Sequence, residues 1–148
     1  MAVTLPYMPR RVNVLVVSPL LQTRTQLRSV FQHTNWSLEE VHTCRDALIA
    51  LNGSRIPVII CEAVLPDGTW RDLLESATVL SQRSALLVTS AWADEVLWTE
   101  VLTCGAYDLL VRPFDVREVV RILSQAYLQA TSPYATRAAA PAVSLARA

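Results

Sequence analysis

The chain has 148 residues, of which 52% are hydrophobic and 18% are charged. This length and composition suit one domain with a hydrophobic core, and they exclude a disordered or collagen-like chain. The formal net charge is zero, so no global field draws the protein onto nucleic acid or an anionic membrane.

The sequence gives no sign of export or membrane insertion. Arg10 and Arg11 precede an apolar run over residues 12–21, but Asn13 and Pro19 interrupt it, so a secretion signal is not expected. No apolar run reaches the length that spans a membrane. We therefore expect a cytoplasmic protein with no membrane partner.

Five short apolar runs predict strands, and five stretches with helical spacing follow them. The predicted strands cover residues 12–17, 38–44, 58–62, 85–89 and 109–111. The predicted helices cover residues 20–33, 45–53, 69–80, 93–104 and 116–129. Strict alternation with buried strands predicts a parallel sheet between two layers of helices, a three-layer α/β domain. Residues 1–10 are expected to be a lead-in, 11–130 the domain, and 131–148 a flexible Ala- and Pro-containing tail.

The third strand carries the most informative residue. It runs without alternation from Val58, ends on the carboxylate of Glu62, and continues into a turn through Leu65, Pro66, Asp67 and Gly68. In an open α/β sheet, ligands bind at the carboxyl ends of the strands. We therefore expect any site to lie beside Glu62.

The sequence lacks the residues that nucleotide-binding sites, phosphate-binding loops and hydrolase active sites require. Gly53, Gly68 and Gly105 are too far apart for a dinucleotide- or phosphate-binding loop, and all 13 basic residues are arginine. His33 and His42 are expected on the first helix and second strand, away from a nucleophile, so a small enzyme that reuses the strand-end pocket finds no support.

The three cysteines do not suggest metal or redox chemistry. Cys44, Cys61 and Cys104 form no Cys-x-x-Cys pair, and Cys61 lies inside an apolar run. The other two close predicted elements. We expect buried, inert thiols.

Three segments together resemble the receiver domain of bacterial response regulators. They are the Glu62–Gly68 stretch, the Val88–Ala91 stretch and the ending from Gly105 through Arg112, Pro113 and Phe114. The resemblance covers roughly residues 11 to 130. It implies a flavodoxin-like (βα)5 fold with a five-stranded parallel sheet in the order 2-1-3-4-5, and a role in two-component, phosphorelay signal transduction.

The resemblance also implies a magnesium-assisted phosphoryl-transfer site, which this sequence does not reproduce. Ser18 and Pro19 stand at the positions of the acidic pair that holds the metal, and Glu62 stands at the position of the phosphoacceptor aspartate. At the remaining positions, Ser90 keeps the hydroxyl, Arg112 replaces the lysine and Leu109 replaces the aromatic switch residue.

These departures predict the loss of magnesium and of phosphotransfer. One remaining carboxylate is a poor site for Mg²⁺, and the longer Glu62 side chain displaces its oxygens from the in-line position. Two interpretations of Glu62 remain open. It pairs with Arg112, with Ser90 donating a further hydrogen bond, as a metal-free imitation of an occupied site, or both charges are solvated at the rim of the sheet.

Without phosphotransfer, function is expected to lie in surfaces. Trp92 and Trp98, at the start and middle of the fourth helix, and Tyr107 are candidate interface anchors, and core packing is the alternative for the tryptophans. In receiver-like proteins the face of the fourth helix, fifth strand and fifth helix commonly forms dimers or docks partners.

The sequence therefore predicts a degenerate receiver, a pseudo-receiver without enzymatic activity, that acts through protein–protein interaction. Its expected partner is a signalling protein such as a histidine kinase or regulator, or a second copy in a homodimer, with no nucleic acid and no cofactor. The alternative is a working receiver that accepts a phosphoryl group from a histidine kinase at an unusual site.

Overall fold

The computed structural model describes residues 12–32, 34–80, 83–92 and 94–132. The expected lead-in at residues 1–10, the tail beyond Ser132 and the placement of His33 lie outside these ranges. Among the described residues, no helix combines the length and apolar character needed to cross a membrane.

Five parallel strands form the central sheet. They are β1 (Asn13–Val17), β2 (Ser37–Val41), β3 (Val58–Glu62), β6 (Ala85–Ser90) and β7 (Asp108–Val111), in the order β2-β1-β3-β6-β7. Every residue of β3 and β6 is buried, as expected for strands covered on both faces. Apart from a short added hairpin, this is the predicted order 2-1-3-4-5, so the predicted fold class is confirmed.

Five helices cover the two faces of the sheet. They are α1 (Leu21–Phe31), α2 (Cys44–Gly53), α3 (Trp70–Val79), α4 (Glu95–Thr103) and α5 (Val116–Thr131). Buried side chains of α2, α3 and α4 share one hydrophobic cluster, and those of α1 and α5 share another. The two clusters lie on opposite sides of the sheet and complete the three-layer architecture.

Side-chain caps fix where several helices begin. The Thr43 hydroxyl accepts a hydrogen bond from the Asp46 N–H, so α2 starts at Cys44 and β2 ends at Val41, three residues before the predicted end. Asp94 caps α4, which therefore starts after Trp92 rather than at it. Pro19 directly precedes Leu20, the N-cap residue of α1.

The turn after β3 forms a hairpin that the sequence did not predict. Two short antiparallel strands, β4 (Val64–Leu65) and β5 (Gly68–Thr69), flank the turn and lead directly into α3. Thr69 caps α3, and the Asp72 carboxylate accepts a hydrogen bond from the Thr69 N–H. A Cβ at Gly68 would lie 2.7 Å from that carboxylate, so a larger residue at this position would displace the Asp72 side chain.

The cysteines follow the expectation only in part. Cys44 and Cys61 are buried, and burial raises the pKa of both thiols. Cys104 is exposed, so the prediction of a buried thiol there is wrong, because the chain leaves the core as it turns at Gly105. Gly105 has a φ of 102°, a left-handed conformation that favours glycine after a helix.

Candidate functional site at the carboxyl edge of the sheet

Four strands deliver polar side chains to one edge of the sheet. Glu62 ends β3 and Ser90 ends β6, while Ser18 follows β1 and Arg112 follows β7. Parallel strands end at the same edge, which is why residues so far apart in sequence meet there. Ser18 and Glu62 are almost fully buried.

Both oxygens of the Glu62 carboxylate have a hydrogen-bond donor. Ser18 Oγ donates to Oε1 at 2.8 Å, and Arg112 Nη1 donates to Oε2. The ion pair is shielded from solvent, since the side chains of Glu62 and Arg112 are 7% and 14% exposed. The predicted pairing is therefore present, and the alternative of two solvated charges at the rim does not describe these side chains.

Arg112 makes this pair by crossing a strand. The sheet order places β6 between β3 and β7, so the guanidinium reaches over β6 to Glu62. Its Nη1 also donates to Thr23 Oγ1 at 3.2 Å, and Thr89 Oγ1 lies 3.5 Å away. The peptide bond between Arg112 and Pro113 is cis.

Ser18 connects the carboxylate to the start of α1. Its hydroxyl donates to Glu62 and accepts a hydrogen bond from the Leu20 N–H at 3.1 Å. Its backbone N–H donates to the Val41 carbonyl at the end of β2. The hydrogen bonds with Leu20 and Val41 thus hold Ser18 in the position from which its hydroxyl donates to Glu62.

Ser90 does not make the predicted hydrogen bond to Glu62. Its hydroxyl accepts a hydrogen bond from the Trp92 N–H at 3.2 Å, which holds the loop that leads to α4. The hydroxyls beside Arg112 come instead from Thr89 and Thr23, both fully buried. Sequence reasoning missed both threonines.

A signal for Thr23 exists in the sequence. Thr23 lies four residues before Leu27 and seven before Val30, which puts it on the inward stripe of α1 with those buried side chains. Leu20, at the N-cap, lies outside this stripe and is exposed. A hydroxyl in an otherwise apolar stripe at the carboxyl edge indicates a polar contact below it.

The remaining predicted site positions add no polar group. Pro19 has no side-chain donor or acceptor and lies between Ser18 and the N-cap of α1. Leu109, at the switch-equivalent position, is buried in the same hydrophobic cluster as α2, α3 and α4. Neither side chain can donate or accept a hydrogen bond.

The donor set at this edge does not fit a magnesium ion. Mg²⁺ takes six oxygen ligands in near-octahedral geometry and usually includes carboxylates. Here the Glu62 oxygens already accept hydrogen bonds, and a guanidinium is in direct contact with one of them. In the part of the chain that the structure describes, no three His, Cys, Asp or Glu side chains are grouped to hold a metal.

Asp67, in the turn after β3, has a structural partner of its own. Its two carboxylate oxygens accept hydrogen bonds from the N–H groups of Cys44 and Arg45, at 2.8 and 3.0 Å. These two backbone hydrogen bonds hold the pKa of the Asp67 carboxyl below its ordinary value. Asp67 therefore links the hairpin to the first turn of α2.

The three interface candidates differ in exposure. Trp92 is 75% exposed, next to the site, whereas Trp98 is half-buried against the hydrophobic cluster of α4. Tyr107 is half-buried against the cluster of α1 and α5. Val96 and Val116 are also exposed near the starts of α4 and α5. Trp92 thus has the largest accessible apolar surface of the three.

Comparison with curated proteins finds two distantly similar sequences, although no family model matches. The chain is 23% identical over 114 residues to the regulatory protein AtoC of Escherichia coli K12, over 77% of this chain and 25% of AtoC. It is 20% identical over 114 residues to the chemotaxis protein CheY of Thermotoga maritima, over 76% of this chain and 95% of CheY. The chain thus spans only about a quarter of AtoC but nearly all of CheY.

Solved structures agree at the level of the fold. The signal receiver domain of an HD domain-containing protein from Pseudomonas fluorescens Pf-5 superposes with a TM-score of 0.76 at 21% identity. The match covers 84% of this chain and 93% of that domain. The chain therefore has the fold of signal receiver domains, as the resemblance of its motifs implied.

Proposed function

We propose that this receiver acts in signal transduction as a protein-interaction module whose phosphoacceptor site is permanently closed. The observation that carries the proposal is the double occupation of the Glu62 carboxylate, by Ser18 on one oxygen and Arg112 on the other. In this account the ion pair takes the place of the phosphorylated state, and no phosphoryl transfer or other catalysis takes place.

The charges at the site support this proposal. Phosphoryl transfer needs positive charge beside the negatively charged oxygens of the transferring group, which receivers obtain from Mg²⁺. In this chain the positive charge is the guanidinium of Arg112, and it is already compensated by Glu62. A metal ion that approached Glu62 would meet this cation, so we propose that the domain has no affinity for Mg²⁺.

The geometry of the nucleophile gives further support. An attacking carboxylate oxygen must be free to approach phosphorus along the in-line direction. Both Glu62 oxygens are held by hydrogen bonds at a site that is almost closed to solvent. Attack would require at least one of these bonds to break in a buried environment, which is costly.

A module of this kind must pass on its signal by binding another protein through its surface. We propose that the domain binds a signalling protein or a second copy through the face of α4, β7 and α5, with Trp92 as its main anchor. Trp92 lies two residues after Ser90, and its N–H is bonded to the Ser90 hydroxyl, so the closed site and the anchor belong to the same loop. An exposed Trp buries a large area at low entropic cost when it enters an interface.

Beryllofluoride with Mg²⁺ tests the proposal, because the pair mimics a phosphoryl group on a receiver. The wild-type chain should show no saturable change in Trp fluorescence when both are added. The matched control is a variant with Ser18→Asp, Pro19→Asp, Glu62→Asp and Arg112→Lys, which rebuilds the site that the receiver resemblance implies. A magnesium-dependent fluorescence change in the wild-type chain would contradict the proposal and favour a working receiver with an unusual site.

A further inference from the structure

A groove between α2 and α3 is not part of the site described above. It has a volume of about 750 Å³ and lies on the face of the sheet that carries α2, α3 and α4. Its apolar walls are formed by Leu48 and Ile49 of α2 and by Val79 and Leu80 at the end of α3. Ile49 is 63% exposed and Val79 is 81% exposed, so the described residues leave apolar surface uncovered along the groove.

The two walls of the groove are helices that run in the same direction. Each of α2 and α3 leads from the end of one parallel strand back to the start of the next, so both begin at the carboxyl edge of the sheet. Each has ten residues and is therefore about 15 Å long. The groove between them is an open channel of about three helical turns.

Three charged residues line the groove, and they are Arg45, Asp67 and Glu75. The Asp67 carboxylate already accepts hydrogen bonds from two backbone N–H groups at the start of α2. The guanidinium of Arg45 and the carboxylate of Glu75 are exposed, and within the described ranges neither has an ion-pair partner. The groove thus offers an occupant one positive and one negative group.

These two groups lie on opposite walls and at different distances from the carboxyl edge. Arg45 is the second residue of α2 and Glu75 is the sixth residue of α3, which separates them by about 6 Å along the groove. An occupant matches both when it carries an acidic side chain beside α2 and a basic side chain about one turn further along, beside α3. An occupant with charges of only one sign would meet one like charge.

A helix fits these walls better than an extended chain does. The walls present side chains and no free strand edge, so an extended segment would lose hydration of its backbone N–H and C=O groups without gaining partners. A helix satisfies these groups internally and can present a continuous apolar stripe. A second copy that packed groove against groove would leave a hollow between two concave surfaces, which is poor shape complementarity.

We propose that the α2–α3 groove binds an amphipathic helix of a partner protein. The apolar stripe of this helix lies on Ile49 and Val79, and its flanks carry an acidic residue for Arg45 and a basic residue for Glu75. The apolar contacts supply most of the affinity, and the two charges select the partner. This inference goes beyond the proposed function, because it concerns a different surface and does not depend on the closed site.

Three labelled helical peptides test the proposal by fluorescence anisotropy with the full-length chain. Each has about 18 residues, long enough for an alanine-based helix to form, and the same leucine stripe. The two flank positions, placed to face Arg45 and Glu75, carry one Glu and one Arg in the mixed peptide, two Glu in the second and two Arg in the third. The wild-type chain should bind the mixed peptide at least about threefold more tightly than either of the others.

Reversal of one charge in the groove should change which peptide binds best. Arg45→Glu should favour the peptide with two arginines, and Glu75→Arg should favour the peptide with two glutamates. Arg121→Glu is the matched control, because it changes the net charge as Arg45→Glu does but lies on α5, on the opposite face of the sheet. This control should keep the preference for the mixed peptide.

The apolar contacts are tested separately. Ile49→Asp should weaken binding of the mixed peptide at least about tenfold, whereas Leu128→Asp, at an exposed position on α5, should not. No saturable binding of the mixed peptide up to about 1 mM, or a preference that does not follow the charges at positions 45 and 75, would overturn the proposal. Self-association of the wild-type chain that Ile49→Asp abolishes and Leu128→Asp does not would overturn it in favour of a second copy.

Discussion

Arg112 and Glu62 form an ion pair across an intervening strand. Arg112 follows β7 and Glu62 ends β3, and β6 lies between them in the sheet. With strands about 4.8 Å apart, the two side chains together bridge roughly 10 Å. Both side chains are long enough to meet across this gap. An aspartate, which is expected at a phosphoacceptor position, is shorter than Glu62, so Arg112 would have to span more of the distance.

The stability of the domain should depend on both members of this pair. Arg112→Met leaves the Glu62 carboxylate buried without its cation, so the free energy of unfolding should fall by about 3 kcal/mol. The double variant Glu62→Leu, Arg112→Met removes both charges and should return to within about 1 kcal/mol of wild type. Urea denaturation followed by Trp fluorescence measures both values. A cost below about 0.5 kcal/mol for Arg112→Met would mean that the pair behaves as a solvated one.

Ser18 should stabilise the site through its hydroxyl. Ser18→Ala removes one buried donor to Glu62 and one partly buried acceptor for the Leu20 N–H, so the free energy of unfolding should fall by about 1–2 kcal/mol. Ser124→Ala is the control, because the Ser124 hydroxyl donates to the Val120 carbonyl within its own helix. An equal effect of the two substitutions would contradict the role given to Ser18.

The fold was predictable because its signals are local and repeated. Unbroken apolar runs such as the one in β3 identified buried strands, and their alternation with helices determined a parallel sheet. The errors lie at element ends, where a single cap decides the boundary. Thr43 and Asp94 each set the start of a helix by accepting a hydrogen bond from its first turn, and apolar periodicity does not report such bonds.

The site was predictable only where strand order fixed it. Placing Glu62 and Arg112 at one edge followed from their positions after two parallel strands. Which hydroxyl contacts which charged group depends on the direction of each side chain, and that direction changes from one strand residue to the next. Thr89 and Ser90 are neighbours, yet only Thr89 lies beside the guanidinium, while Ser90 bonds to the loop.

Asp67 should make the stability of the domain depend on pH in acid. Its folded pKa is held below the ordinary value of 3.8 by two backbone hydrogen bonds, so the unfolded chain binds its proton first as the pH falls. The stabilisation is therefore complete above that ordinary value and disappears as the pH falls through the lower folded pKa. Thermal unfolding of wild type and Asp67→Asn should be measured from about pH 6 to about pH 2. The difference between their melting temperatures should become smaller as the pH falls. A difference that stays constant over this range would contradict the assignment.

Substitution of Trp92 and of Trp98 should distinguish an interface residue from a core residue. Trp92→Ala should change the free energy of unfolding by less than about 0.5 kcal/mol because the side chain is mostly exposed, whereas Trp98→Ala should cost about 2 kcal/mol. If the domain self-associates through this face, Trp92→Ala should also raise the dissociation constant at least about tenfold in sedimentation equilibrium. Unchanged self-association would remove Trp92 from the interface.

Exposure of the chain to Mg²⁺ and a small phosphodonor such as acetyl phosphate, followed by intact-protein mass spectrometry, tests the closed site most directly. We expect no added phosphoryl group on the wild-type chain, because the Glu62 oxygens are held by Ser18 and Arg112. The variant with Ser18→Asp, Pro19→Asp, Glu62→Asp and Arg112→Lys serves as the positive control. A magnesium-dependent mass increase of one phosphoryl group on the wild-type chain, absent from Glu62→Gln, would contradict the account.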